Sequence, residues 1–190
     1  MKNTLRQMGM AYRQQLAGDD LRALGQEITA SLSTLLQTFE PCTVGLFYPT
    51  KGEPEILNIL ENSGLSSFAW ALPVCSESSK GPILRFASFQ RGDQLEAGRY
   101  NIPVPVCKNW VQPTLLLLPC LAFHRDGARL GYGAGWYDRT LAQLATQPMA
   151  VGVAYSATES PDDFAENHDH LLDFVVTEKS AITCTGRKSQ

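Results

Sequence analysis

Residues 114–146, TLLLLPCLAFHRDGARLGYGAGWYDRTLAQLAT, constrain the fold more than any other stretch of the chain. Leu115 to Leu118 form an unbroken apolar run, continued beyond Pro119 by Leu121, Ala122 and Phe123. A run without charge, bounded by turn residues, suits a strand covered on both faces, as in a parallel sheet flanked by helices. A charged turn, His124 to Gly127, comes next, and then three glycines at alternate positions, Gly131, Gly133 and Gly135. Beyond them Tyr137, Leu141, Leu144 and Ala145 are spaced for one helical face. The stretch reads as buried strand, glycine-rich turn, helix.

That order has a chemical reading. Glycine lets backbone N–H groups approach an anion closely, and a helix N-terminus adds unpaired donors and positive dipole. Arg129 enters the turn and Asp138 leaves it. Arginine neutralises phosphate oxygens, and a carboxylate beside a phosphate is a natural Mg²⁺ ligand. The string also has a plainer reading, a tight strand-to-helix turn with Asp138 merely complementing the helix dipole. It contains neither the dinucleotide G-x-G-x-x-G nor the P-loop G-K-[ST].

The rest of the chain supplies alternating helices and strands. Leu5, Met8, Tyr12 and Leu16 predict an apolar stripe on a helix over 3–17, with Lys2, Arg6 and Arg13 on another face. Such a basic face is either solvated or spread around an anion. A second helix follows Gly18-Asp19-Asp20 and runs to about residue 39. Residues 43–49 read as the first strand, with a helix after Pro54 carrying Ile56, Leu57 and Leu60. Glu53 then stands between a strand end and a helix start, where open α/β sheets bind ligands, or where a carboxylate simply complements a dipole. Strands are expected at 67–75, 83–89, 148–155 and 172–178, with loops at 76–82, 106–113 and 158–170 and Arg85 on an exposed face. His168 and His170 in that last acidic loop are too few to argue for a transition-metal site. Alternation of strands and helices predicts one α/β domain over 1–184 with a mostly parallel sheet, and a polar tail at 185–190.

PCLAFHRDGARLGYGAGWYDRTL resembles the signature of the 5-formyltetrahydrofolate cyclo-ligase family, P-x-x-A-F-D-x-x-G-x-R-L-G-x-G-x-G-[YF]-Y-D-R. His124 stands where that family usually has Asp, Trp136 where it has Tyr or Phe, and Val104 where the segment G-[KR]-[YF]-G-I-x-E-P has Glu. The resemblance implies a three-layer Rossmann-like α/β fold, ATP as co-substrate, Mg²⁺, and a reduced folate converted to 5,10-methenyltetrahydrofolate. It assigns ATP to Lys2 and Arg6, matching a K-x-x-x-R pair, and to Arg129, Leu130, Gly131, Tyr132, Gly133, Ala134, Gly135, Trp136 and Tyr137. It assigns the folate to Glu53, with Glu55 as runner-up, and to Tyr132, Gly133, Ala134, Gly135 and Trp136. It assigns the metal to Asp138 and, through E-x-x-D-x-x-x-D, to Asp169. Arg13 is outside every matched motif. Two alternatives accompany it: a nucleotide- or folate-binding relative without turnover, and a sugar-phosphate isomerase or CoA-transferase-like protein needing no ATP.

Composition narrows the setting. A net charge of −3 and a pI near 5.6 argue against nucleic acid or an anionic membrane as partner. Five cysteines without a C-x-x-C pair suit reduced thiols rather than disulfides or zinc. The N-terminus is polar, without an apolar signal core, so a cytoplasmic protein is expected; with the resemblance, a monomer acting on small molecules, ATP and a reduced folate, is expected.

Overall fold

The computed structural model describes residues 1–166 and 169–186. Two helices, α1 (Lys2–Gln15) and α2 (Gly18–Leu36), precede the first strand, β1 (Thr43–Gly45). A long hairpin of β2 (Ala69–Ser78) and β3 (Gly81–Ser88) follows. Then come a small pair, β4 (Leu95–Ala97) and β5 (Pro103–Pro105), and the two-residue β6 (Trp110–Val111). The leucine run is β7 (Leu115–Pro119), and β8 (Ala122–Phe123) and β9 (Arg129–Leu130) form a second hairpin. Helix α3 (Trp136–Gln143), β10 (Met149–Val153), β11 (Phe174–Val176) and β12 (Ala181–Thr183) complete the order.

The main sheet runs β12-β11-β10-β7-β1-β2-β3-β6. It is parallel from β11 through β2 and antiparallel at both margins. The leucines explain why β7 lies inside. Leu115 and Leu117 point into one core with Ile28, Leu32 and Leu36 of α2. Leu116 and Leu118 point into the other, with Leu141 of α3. A strand alternates its side chains between faces, so four successive leucines require cover on both. That makes the three layers, and the expected mostly parallel α/β fold is present. Helix α1 lies mainly beyond the end of β7, against β8, β9 and the 3-10 turn Ser156–Thr158, and lends Tyr12 to the edge of the α2-side core.

Several local expectations fail for physical reasons. The helix expected after Pro54 is only a 3-10 turn, Leu57–Glu61. Asn62, Ser63 and Gly64 follow it, residues that prefer caps and turns, and the Asn62 side chain accepts from Gly64 N–H to start a second short turn. The expected loop at 76–82 is mostly strand, because β2 and β3 stay paired up to Ser78↔Gly81. The expected loop at 106–113 contains β6, and β12 was not foreseen. The charged turn 124–127 is the tip of the β8–β9 hairpin. Helix α3 stops at Gln143, leaving Leu144 extended and Ala145 exposed. On α1 the buried face is Gly9 and Arg13, while Met8 is 62% exposed. Thr185 Oγ1 donates to Asp126 at 2.6 Å, so the chain is held to the hairpin as far as Gly186.

Candidate active site

A cleft of about 1000 Å³ opens where β1 and β7 end, the carboxyl edge of the parallel strands. One wall is the loop Gly131–Gly135 between β9 and α3. Gly133 and Gly135 have φ of +92° and +65°, values that glycine reaches without strain. Gly135 is the residue before α3, so the turn delivers the chain into the helix with its N-terminus facing the cleft. A Cβ at Gly133 would touch the Arg6 guanidinium at 3.4 Å, so Arg6 lies directly over the loop.

Helix α1 forms the second wall. Arg6 Nε donates to Gly131 O at 3.1 Å. Lys2 Nζ bonds Asp169 Oδ2 at 2.8 Å and lies 3.0 Å from Glu166 Oε1. Burial works against the Lys2 charge, but the two carboxylates outweigh it and hold the pKa above the ordinary lysine value. Arg129 is inside the wall, its side chain 6% exposed, and Nη2 donates to Asp138 Oδ1 at 2.8 Å. Asp138, expected as a metal ligand, is thus turned to an arginine here. Trp136 is flanked by Arg99 and Arg139, 5.0 and 5.7 Å from its ring. Tyr132 lies between Lys51, at 5.3 Å, and Arg13, at 5.7 Å.

Glu53 closes the far side, 5% exposed. No α-helix follows it, so the dipole reading fails. Lys51 and Gly52 take positive φ, and the tight turn lets the Thr50 N–H and Oγ1 donate to Glu53 Oε2 at 2.9 and 3.3 Å. Burial pushes the Glu53 pKa up, opposed by Arg13, Thr50 and Lys51. Burial also raises the Tyr132 and Tyr137 phenols, so both stay protonated at neutral pH.

All fourteen residues assigned from sequence line this one cleft: Lys2, Arg6, Glu53, Arg129 to Tyr137, Asp138 and Asp169. Glu55, the runner-up, does not line it. Sequence reading missed Lys51, Arg99, Lys108 and Arg139. Arg99 and Arg139 sat in view as motif positions themselves, after Gly98 and Asp138, but were given no role; nothing in the spacing marked Lys51 or Lys108. Seven cations and five carboxylates face the cleft, in a chain whose net charge is −3. The cleft is therefore a local attractor for an anion. His168 lies outside the described residues, and among those described no cluster of three metal-ligating side chains occurs. Mg²⁺ does not require one, because it takes one or two carboxylates and completes its shell with phosphate and water. Asp138 and Asp169, hard oxygen donors beside a cationic loop, fit that demand.

The chain matches a family model described as the 5-formyltetrahydrofolate cyclo-ligase family over residues 1–178. It is 28% identical to a 5-formyltetrahydrofolate cyclo-ligase of Mycoplasma pneumoniae over 182 residues, covering 94% of this chain and 99% of that one. It is 30% identical to the enzyme so named in Escherichia coli strain K12, covering 87% and 93%. Among solved structures it resembles the 5,10-methenyltetrahydrofolate synthetase of Aquifex aeolicus with a TM-score of 0.79 and 27% identity, covering 100% of this chain and 95% of that one.

Proposed function

Since the chain belongs to the 5-formyltetrahydrofolate cyclo-ligase family, we propose that it converts 5-formyltetrahydrofolate to 5,10-methenyltetrahydrofolate at the expense of ATP, with Mg²⁺, releasing ADP and phosphate. One observation carries the reading: every residue assigned to nucleotide, folate or metal faces the same cleft. One chain supplies them all, which supports a monomer, and no described helix is long and apolar enough to cross a membrane. The setting proposed is the cytoplasm.

The chemistry explains the residue types. A formyl oxygen is a poor leaving group. Transfer of the γ-phosphoryl onto that oxygen makes it a good one; N10 then attacks the activated carbon, loses its proton, closes the ring and expels phosphate. Phosphoryl transfer is catalysed mostly by positioning and charge neutralisation. Lys2 and Arg6 reach the phosphates from α1, and Arg129, aimed by Asp138, reaches them from below. Gly131, Gly133 and Gly135 let backbone donors approach, while Leu130, Ala134 and Tyr137 shape the wall. Trp136 and Tyr132 pack against the pterin, and the Glu53 carboxylate accepts from its polar edge. Asp138 and Asp169 would hold Mg²⁺, which when bound neutralises phosphate charge. Mixing the protein with ATP, Mg²⁺ and 5-formyltetrahydrofolate should give the methenyltetrahydrofolate absorbance with one phosphate per turnover. Absence of product while ATP still binds would leave a binding protein, not an enzyme.

A further inference from the structure

We infer that Arg13 is a positioning residue of this site, whose buried guanidinium fixes Glu53 and Tyr132 as one unit for receiving the folate. The inference rests on the assignment of Glu53 to the folate. Arg13 is in the last turn of α1 and 4% exposed. A buried charge persists only with partners, and these partners come from three separate segments. Nη1 donates to the Tyr132 hydroxyl of the glycine loop at 2.8 Å and lies 3.6 Å from Glu53 Oε1 in the turn after β1. Nη2 donates to the Cys120 carbonyl, just past β7, at 2.8 Å. Nε has no partner among the described residues. The planar fork of an arginine can hold three such directions at once; a lysine cannot.

The placement is built in. Gly9, one turn earlier on the same face, carries no Cβ and lets α1 lie against the Leu121 carbonyl. The backbone of Gly52 presses on Arg13 from the other side, where a Cβ would come within 3.1 Å. Thus close backbone approach at two glycines seats the residue that joins Glu53 to the glycine loop.

The consequence lies in the charge of Glu53. Arg13 faces it from α1, Lys51 and Thr50 from its own turn, Tyr132 from the glycine loop, Tyr137 from α3, and Cys120 from the end of β7. Burial favours the protonated form and Arg13 is the largest opposing influence. Without that cation, Glu53 keeps its proton to higher pH. A protonated carboxyl presents an O–H where the pterin's N–H groups need an acceptor.

The test compares wild type, Arg13→Gln, Arg13→Lys, Glu53→Gln and the double variant Arg13→Gln/Glu53→Gln. Each has kcat/KM measured for 5-formyltetrahydrofolate and for ATP against pH. In Arg13→Gln the acid limb for the folate should move up by about one pH unit or more, the usual effect of losing an opposite charge at this range. The ATP value should fall by less than the folate value, and Arg13→Lys, which keeps the charge, should restore the limb. The double variant should lose less folate affinity than the two single losses combined, because Arg13 acts in part through Glu53; fully additive losses overturn the inference. An unmoved limb in a folded Arg13→Gln, with Glu53→Gln raising the folate KM, overturns the inference. A normal folate KM in Glu53→Gln overturns the assignment of Glu53 instead. If Arg13→Gln does not fold, Arg13→Lys decides: a rise in folate KM with ATP KM unchanged supports the inference, and equal rises or no rise overturn it.

Discussion

Gly9 offers a quantitative probe of how α1 is seated. A Cβ built there would be 2.1 Å from Leu121 O and 2.9 Å from its carbonyl carbon, and real Cβ atoms essentially never come closer than 3.0 Å. In Gly9→Ala, α1 must therefore retreat by about 0.9 Å, and the obstacle is backbone, which cannot swing aside. Overpacking of this kind costs about 3 kcal/mol, the top of the usual range, and alanine's better helix propensity returns about 1 kcal/mol. The net loss of about 2 kcal/mol lowers Tm by about 4–8 °C in a chain of this length. The same retreat carries Lys2, Arg6 and Arg13 away from the cleft together. A misplacement near 1 Å can cost about 100-fold in rate, so kcat/KM should fall between about 10- and 100-fold. Gly18→Ala is the control, since nothing lies within 4 Å of its Cβ. Calorimetry and steady-state phosphate release read the two effects. Wild-type Tm and turnover in Gly9→Ala would refute the seating of α1 and every role drawn from it.

Other outcomes follow from single contacts. Asp138→Asn should cut Mg²⁺-dependent phosphate release by about 100-fold or more and lower Tm, because Arg129, 6% exposed, loses its counter-charge; undiminished turnover would remove the metal role. Lys2→Met should raise the KM for ATP about tenfold or more, the loss of one charge-assisted bond, with Tm almost unchanged because its pairs are partly solvated. Isothermal titration and melting curves check it. Burial pushes the Cys120 thiol up to about 11 and Cys184 up to about 12. The thiolate is the nucleophile and a raised pKa depletes it, so at pH 8 iodoacetamide should label exposed Cys107 first and leave Cys120 and Cys184 until unfolding. Peptide mass spectrometry showing Cys120 labelled as fast as Cys107 would contradict that burial.

What could be read from sequence divides by physical cause. The leucines of β7 were legible because four apolar residues in a row admit few environments. The glycine loop was legible because its spacing and Arg129–Asp138 frame are local in the chain. Arg13 was not: its burial depends on Tyr132, Glu53 and Cys120, up to 119 residues away in sequence. A charge three turns along a basic face looks solvated until those partners are known. The helix after Pro54 failed because Ile56, Leu57 and Leu60 have a helical spacing, but the polar residues from Asn62 onward outcompete its continuation. Asp138 was read toward a metal, and the structure pairs it with Arg129; in a pattern, one carboxylate serves arginine and magnesium equally well.

The margins of the sheet bear on how the protein behaves in a test tube. One border strand has two residues and the other three. Along the part of β3 that β6 leaves uncovered, α3 takes backbone groups, Thr140 Oγ1 accepting from Leu84 N–H and Arg139 Nε donating to Pro82 O, and the Arg85 guanidinium caps the border tryptophan, Trp110, at 3.9 Å. Short or covered borders are the usual defence against strand-by-strand stacking. Solutions concentrated enough for crystal trials should therefore stay clear, and clouding should begin only where heat has opened the leucine-rich centre.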